Sequence, residues 1–160
     1  MIRLAEINDV DDILKLLLQV DLVHNKIRPD LFKAPASKYT KEEIIGMLND
    51  DNRPIFVYES NNKVVGYAFT IKKIVKDDNV LQDLKTLYID DLCVDENNRG
   101  MGIGKSLYKH VLNYAKANDY YNITLNVWNN NDNAIKFYES IGMSYQKYTM
   151  EKILKWKLKC

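Results

Sequence analysis

The chain has 160 residues, a length that suits one domain and allows roughly 70% of the unfolded surface to be buried on folding. Its composition of 46% hydrophobic and 28% charged residues is ordinary for a globular protein. The formal net charge of +1 argues against a protein that neutralises many nucleic-acid phosphates, so we expect no nucleic-acid partner.

Two further features bear on compartment and metal binding. No stretch approaches about 18 apolar residues, and the N-terminus lacks a basic region followed by an apolar run. We therefore expect a cytoplasmic protein that neither spans a membrane nor is exported. The two cysteines, Cys93 and Cys160, share no metal-ligand spacing, so we expect reduced thiols and no metal site.

The N-terminal part of the chain predicts one strand and two helices. Residues 1–7 alternate well enough for a strand. Asn8 and Asp9 can cap a helix that runs to about residue 22, and the proline-containing stretch 24–38 then predicts a loop. A capping box of Thr, Lys, Glu and Glu opens a second helix over residues 40–48.

The middle of the chain predicts an antiparallel hairpin and a further strand. Residues 55–59 and 64–74 read as strands, joined by a turn at Asn61-Asn62. The acidic run 77–79 interrupts the pattern, and residues 87–94 form the next strand.

The C-terminal part predicts two helices alternating with strands. The expected helices cover residues 104–117 and 131–141, the expected strands residues 123–128, 144–148 and 151–157. The whole order, β-α-α-β-β-β-α-β-α-β, predicts an α+β domain with a mixed sheet and helices on both faces.

A glycine-rich turn joins the strand at 87–94 to the following helix. It reads Arg99-Gly100-Met101-Gly102-Ile103-Gly104 and is followed by Lys105. Glycine permits positive φ and close approach of a ligand to the backbone, and the next helix points its free N–H groups into the same space. The turn therefore suits a pyrophosphate, with Arg99 and Lys105 adding positive charge.

The spacing of this turn separates three phosphate-binding patterns. A dinucleotide fingerprint, Gly-x-Gly-x-x-Gly, places its last glycine at Lys105 or Leu107, and a P-loop places its first glycine at Arg99; both fail. The pattern Arg-x-x-Gly-x-Gly is matched in full by Arg99, Gly102 and Gly104. This motif resembles the coenzyme-A motif of the GNAT N-acetyltransferase family.

A second block strengthens the resemblance. It reads Leu125-x-Val127-x-x-x-Asn131-x-x-Ala134-x-x-Phe137-Tyr138-x-x-x-Gly142 and is similar to the later block of that family. Membership implies a GNAT fold with a central, mostly antiparallel sheet in a single domain over residues 1–160. It also implies acetyl-CoA as co-substrate and an amine as acceptor, such as a polyamine, an aminoglycoside or a peptide amine. Dimerisation is common in the family, so a homodimer is compatible with the resemblance.

The acyl transfer itself points to particular residues. The amine must lose a proton and the coenzyme leaves as a thiolate, which the Tyr138 phenol can protonate. Asp90 and Asp91 stand side by side in an apolar strand, where alternation sends them to opposite faces. The resemblance favours Asp90 as the base, with Asp91 or a water chain as alternatives.

The cofactor contacts follow from the same resemblance. It implies main-chain contacts from Leu92, Cys93 and Val94 to the pantetheine arm, and contacts from the glycine turn, residues 99–105, to the phosphates. Asn131 can cap its helix and contact the cofactor. A covalent acyl-Cys93 is not expected, because no histidine stands nearby in the sequence and direct transfer needs no nucleophile.

Two other functions share some of these features. A non-catalytic acyl-CoA-binding sensor would have the same glycine turn, and Tyr138 argues against it. A nucleic-acid-binding module would use the lysine-rich C-terminus, which also suits a lysine-protected edge strand. The acceptor pocket is expected to involve residues 24–38 and 77–83, whose acids are compatible with a cationic acceptor.

Overall fold

The computed structural model describes residues 1–155, and a five-stranded sheet runs through its centre. The strands lie in the sheet in chain order, and each neighbouring pair is antiparallel except β4 and β5, which are parallel. Their bounds are β1 (Ile2–Leu4), β2 (Ile55–Ser60), β3 (Lys63–Val75), β4 (Leu84–Val94) and β5 (Asn122–Leu125).

Four α-helices cover both faces of this sheet. They are α1 (Val10–Ile27), α2 (Lys41–Met47), α3 (Ile103–Ala117) and α4 (Asp132–Ser140). Helices α1 and α2 pack with Tyr67 and Cys93 in one core cluster, whereas α3 packs with Phe56 and Ile89 in another. The predicted α+β class with a mixed sheet is confirmed. No helix within residues 1–155 is long and apolar enough to cross a membrane.

The start and end of the first two helices follow from local chemistry. The Thr40 side chain accepts a hydrogen bond from the Glu43 N–H, and the Glu43 carboxylate accepts one from the Thr40 N–H, as the capping box predicted. Helix α1 continues beyond the predicted residue 22 to Ile27. Proline 29 disfavours a helical conformation at Arg28, whose φ of −135° and ψ of 72° end the helix.

The hairpin between β2 and β3 also agrees with the sequence. Asn61 and Asn62 have φ values of 51° and 58°, the left-handed conformation that a two-residue hairpin turn requires. Strand β4 begins three residues earlier than predicted, at Leu84. The acidic turn before it is held by its own side chains, because Asp78 accepts hydrogen bonds from the backbone N–H groups of Val80 and Leu81.

The C-terminal segment departs from prediction. Strand β5 ends at Leu125 instead of residue 128, and residues 144–155 form no strand. The expected closing strands 144–148 and 151–157 are therefore wrong in the described residues, with 156 and 157 lying outside them. Alternation alone does not make a strand: the backbone also needs a neighbouring edge, and none of residues 144–155 bonds another backbone group of the described chain.

Candidate active site

The site begins where β4 and β5 part. These strands are paired only from Thr86 to Ile89 on β4, opposite Asn122 to Leu125 on β5. Beyond Ile89 the β5-facing edge of β4 has no strand partner among residues 1–155. A cavity of about 940 Å³ opens along this edge, bordered by β4, the glycine turn, residues 125–128 and α4. Because the two parallel strands separate here, an extended ligand can lie in the cavity beside the backbone groups of β4 that do not pair with β5.

The glycine turn lines one end of the cavity. Gly100 and Gly102 have φ values of 78° and 76°, which explains why glycine occupies both positions. Gly102 is the residue before α3, and it lines the cavity together with Ile103, Gly104 and Lys105, so the first turn of this helix, with its free N–H groups, borders the cavity. Arg99 Nε donates a hydrogen bond to the Val94 carbonyl, 3.2 Å away, and closes the end of β4. Such a helix start favours a bound anion.

Helix α4 forms the opposite wall. Its N-cap is Asn131, whose side-chain oxygen accepts a hydrogen bond from the Ala134 N–H at 3.2 Å, as predicted. A Cβ on Gly104 would approach the Phe137 ring to 3.3 Å, so α3 and α4 are in close contact here. The Phe137 and Tyr138 rings meet edge to face at 5.1 Å. Tyr138 lines the cavity, and its position depends on this packing.

The two neighbouring carboxylates lie on the same face of the sheet, contrary to the prediction from strand alternation. Phe69 of β3 pairs with Asp91 and the next residue, Thr70, pairs with Ile89, so Asp90 is the extra residue of a β-bulge. The bulge changes which face of the sheet the following side chains occupy. Ile89 packs toward α3, whereas Cys93, four residues later, packs toward α1. Strict alternation would have put these two side chains on one face.

The carboxylates nevertheless have different partners. Asp91 Oδ2 accepts a hydrogen bond from the Tyr67 hydroxyl at 2.7 Å. Asp90 accepts one from the Tyr39 hydroxyl at 2.5 Å and pairs with Lys38 Nζ at 3.0 Å. Asp90, the residue that the sequence favoured as base, is therefore neutralised by a lysine. Asp91 has a neutral hydroxyl partner.

Burial dominates the acid–base properties of this region. It raises the pKa of Asp91, against the opposing effect of the Tyr67 hydrogen bond. Burial also raises the pKa of the Tyr138 phenol well above its ordinary value, and the negative charge of Asp91 adds to this effect. The pKa of the Cys93 thiol is raised to about 12, mainly by burial, so this cysteine is a neutral thiol.

A third wall of the cavity is formed by residues whose contacts the sequence did not predict. The His24 and Phe32 rings pack against each other at a tilt of 31° with centroids 5.0 Å apart, and Phe32 contacts Trp128 edge to face at 5.4 Å. Asp21 lines the same space, and its Oδ2 is buried without a hydrogen-bond partner among residues 1–155. Burial lowers the pKa of His24, so the imidazole is neutral at neutral pH. Trp128 follows a short strand and Phe32 lies in a loop. Because neither residue belongs to a segment with helical or strand periodicity, the sequence pattern could not predict their contact.

The structure brings almost all of the predicted site residues to this one cavity. Only Met101 is absent from its lining, with a side chain that is 70% exposed. The residues that do line it are Asp90, Leu92, Cys93, Val94, Arg99, Gly100, Gly102, Ile103, Gly104, Lys105, Asn131 and Tyr138. The acids of the turn between β3 and β4 lie outside this lining and cap their own loop: the Asp83 carboxylate accepts a hydrogen bond from the Asp77 N–H.

The sequence of this chain matches a profile of the acetyltransferase (GNAT) family over residues 21–143. The chain belongs to this family. The matched region contains the glycine turn, the parted strands and all of the cavity lining except Leu17 and Val20. The recognition of a GNAT motif in the glycine turn is thereby confirmed at the level of the family.

Several proteins resemble this GNAT-family chain. A mutant of the BH1408 protein from Bacillus halodurans has 33% identical residues and a TM-score of 0.93, over 97% of this chain and 99% of that one. An aminoglycoside acetyltransferase from an uncultured soil metagenomic sample has 22% identity and a TM-score of 0.74, over 98% and 96% of the two chains, and shares the fold.

A curated human relative is similar over a shorter stretch. N-acetyltransferase 8B from Homo sapiens is 37% identical over 87 residues, which amount to 54% of this chain and 37% of that protein. The chain thus spans little more than a third of the length of this relative.

Proposed function

We propose that this protein transfers the acetyl group of acetyl-CoA to a primary amine by direct attack in a ternary complex. The observation that carries the proposal is the convergence of three features on one cavity. These are the glycine turn at the start of α3, the unpaired edge of β4, and the Tyr138 phenol. Each supplies a different requirement: phosphate binding, alignment of the pantetheine arm and protonation of the leaving group.

Acetyl-CoA fits the shape and chemistry of the cavity. Its pyrophosphate is suited to the N–H groups of the glycine turn and to the charges of Arg99 and Lys105. Its pantetheine arm carries amide groups, and within the described part of the chain the backbone of Leu92, Cys93 and Val94 has no strand partner on the β5 side. These amides can therefore pair with β4 in the manner of an added strand.

The chemical step moves two protons. The amine nitrogen attacks the thioester carbonyl, the C–N bond forms, and the C–S bond breaks to release coenzyme A as a thiolate. The proton lost by the amine goes to a carboxylate, and we assign this role to Asp91, directly or through a water molecule, because Lys38 neutralises Asp90. The thiolate takes its proton from the Tyr138 phenol, and the products are an N-acetyl amide and the free thiol.

The two proton transfers support each other electrostatically. Burial raises the pKa of Tyr138 most and ionised Asp91 raises it further, so the phenol keeps its proton before the amine reacts. Once Asp91 has taken the proton of the amine, that charge is neutralised and the phenol becomes a stronger acid. The acid is thus strengthened at the stage at which the thiolate forms.

The acceptor side of the cavity favours a small cationic amine. Asp21 has a buried carboxylate oxygen without a hydrogen-bond partner among the described residues, and Phe32 and Trp128 line the same cavity. Carboxylates and aromatic faces together bind ammonium groups. A polyamine or an aminoglycoside has one ammonium group for Asp21 and a second amine for the thioester. A polyamine or an aminoglycoside is therefore a better candidate acceptor than a peptide amine.

A two-part experiment tests the proposal. Acetyl-CoA binding to the full chain is measured by calorimetry, and coenzyme-A release is then followed with a polyamine, an aminoglycoside, an amino sugar and a peptide with a free N-terminus. We expect binding, and release that coincides with the mass gain of one acetyl group on at least one amine. Binding without acetylation of any amine would favour the acyl-CoA sensor, and no binding would overturn both.

A further inference from the structure

We propose that Lys38 is a site of self-acetylation, at which the protein transfers an acetyl group from acetyl-CoA to its own side chain. This inference rests on the proposed function, because it needs a thioester bound in the cavity. It adds an acceptor that belongs to the chain itself. The observation that carries it is the position of Lys38, which lines the cavity and pairs with Asp90 of β4.

The Lys38 amine is held on the acceptor side of the cavity by two contacts with Asp90. Its Nζ lies 3.0 Å from Asp90 Oδ1 and donates a hydrogen bond of 3.0 Å to the Asp90 carbonyl oxygen. The same nitrogen lies 5.7 Å from the centre of the Tyr39 ring. The Lys38 side chain is nevertheless 44% exposed, so its tip is anchored without being enclosed. A primary amine is thus held where the acceptor of the reaction is expected.

The groups that the transfer needs are close to this amine. Burial raises the pKa of Asp91 and the charge of Lys38 acts in the opposite direction, so the two side chains are within electrostatic reach. Asp91 and Tyr138 line the same cavity. Asp90 stands two residues before Leu92, about 7 Å along the strand, where we expect the pantetheine arm. The flexible four-carbon stem of a lysine covers a distance of this order, so the amine can reach a thioester bound there.

Position distinguishes Lys38 from the neighbouring lysines. Within residues 1–155, two lysines line the cavity, and the other one, Lys105, lies in the first turn of α3, where the pyrophosphate is expected. Lys33 belongs to the same loop as Lys38, is exposed and lies outside the cavity lining. Lys33 is therefore an internal reference for the ordinary chemical reactivity of a lysine with acetyl-CoA.

The transfer to Lys38 follows the same course as the transfer to a free amine. The Lys38 ammonium first loses one proton to water, and the neutral nitrogen attacks the thioester carbonyl carbon. The C–N bond forms, the C–S bond breaks, and the nitrogen passes a second proton to Asp91. Coenzyme A leaves as a thiolate that takes the Tyr138 proton, and the proton on Asp91 then restores the phenol. The products are acetyl-lysine at position 38, free coenzyme A and one proton in solution.

Acetylation of Lys38 changes the charge of the acceptor side. An acetylated lysine is uncharged, so Asp90 loses the ion pair with Lys38 and keeps the hydrogen bond from the Tyr39 hydroxyl. The modification therefore makes this side of the cavity more negative.

The first test follows acetylation of the full chain without an added amine. The protein is incubated with acetyl-CoA, and intact mass and peptide mapping are measured over time. We expect a gain of one acetyl group that maps to Lys38, at a rate at least about tenfold above that at Lys33. Lys38→Arg should lose this gain, whereas the matched control Lys33→Arg should keep it. Equal rates at the two lysines would show ordinary chemical acetylation and overturn the proposal.

The second test asks whether the transfer occurs in the cavity and within one molecule. The first-order rate constant of Lys38 acetylation should stay the same when the protein concentration is raised about tenfold. An excess of free coenzyme A should suppress the reaction by occupying the cavity. A rate constant that rises with protein concentration, or a reaction that persists in excess coenzyme A, would contradict the proposal.

The amine panel of the proposed function separates the two hypotheses. Acetylation of both an added amine and Lys38 would support both. Acetylation of an added amine without acetylation of Lys38 would overturn only the self-acetylation. Acetylation of neither would overturn both.

Discussion

The Tyr67 hydroxyl donates a hydrogen bond of 2.7 Å to Asp91 Oδ2, whereas the carboxylate of the preceding residue is paired with a lysine. The β-bulge that puts both carboxylates on one face also separates their partners. Burial raises the pKa of the Asp91 carboxyl, so this group can accept a proton at a higher pH than an ordinary aspartate. The different partners of Asp91 and Asp90 give the first prediction.

Asp91→Asn should abolish most of the acetyl transfer. We expect kcat to fall by about 10²- to 10⁴-fold, because the group that takes the proton of the amine is lost. Asp90→Asn is the matched control and should have a smaller effect, since the carboxylate at 91 remains. The measurement is steady-state release of coenzyme A with the best amine. The opposite ranking of the two variants would return the base to Asp90, as the sequence alone favoured.

The same assignment predicts how activity changes with pH. The base must be ionised, and its raised pKa means that it gains a proton at a higher pH than an ordinary aspartate. The kcat/KM of the wild type should therefore decline on the acid side at a pH above the usual aspartate value of about 4. Asp90→Asn should keep this decline. A profile that stays flat down to that value would contradict a role for the buried carboxylate.

Tyr138→Phe should separate chemistry from cofactor binding. The ring and its packing against Phe137 are kept while the proton of the hydroxyl is lost, so kcat should fall by about 10²-fold or more. The affinity for acetyl-CoA should hardly change. Tyr121→Phe, at a position that is 77% exposed, is the control and should leave both constants intact. An unchanged kcat in Tyr138→Phe would remove the phenol from the mechanism.

The sequence and the structure agree best where local chemistry decides. The capping box at Thr40, the Asn61-Asn62 turn and the glycines at 100 and 102 were all predicted, because their conformations depend on neighbours in the chain. The bulge at Asp90 was not, because it depends on the register between β3 and β4. The meeting of Asp21, Phe32 and Trp128 was also missed, since it is created by the tertiary fold.

Alanine at two glycines should change stability in opposite directions. Gly102 has a φ of 76°, so Gly102→Ala is expected to cost about 1–2 kcal/mol although nothing lies within 4 Å of the added Cβ. Gly46 lies in α2, has no such φ and equally has open space. Gly46→Ala should stabilise by about 0.4–1 kcal/mol, since alanine restricts the unfolded chain. Urea unfolding measures both, and equal signs would contradict the conformational argument.

Asp9 connects the first strand to the first helix and gives the last prediction. It is 5% exposed and accepts hydrogen bonds from Arg3 Nη1 at 2.7 Å, from Arg3 Nη2 at 2.9 Å and from the Glu6 N–H. Asp9→Asn should cost about 2 kcal/mol of unfolding free energy, because the buried Asp9 carboxylate loses its charge-assisted hydrogen bonds with the half-buried Arg3 guanidinium, which keeps Glu59 as a partner. Asp11→Asn, whose carboxylate is 72% exposed in its pair with Lys41, should cost less than about 0.5 kcal/mol.

The stabilisation by Asp9 should also depend on pH. Burial acts to raise its pKa, but the hydrogen bonds from Arg3 and from the Glu6 N–H outweigh burial and leave the pKa below its ordinary value. The folded protein therefore binds this proton less tightly than the unfolded chain does. The contribution is complete at neutral pH and is lost as pH falls below about 4. The difference between wild type and Asp9→Asn in urea unfolding should accordingly shrink toward about pH 3, and a constant difference would show that the charge of Asp9 is not what stabilises the fold.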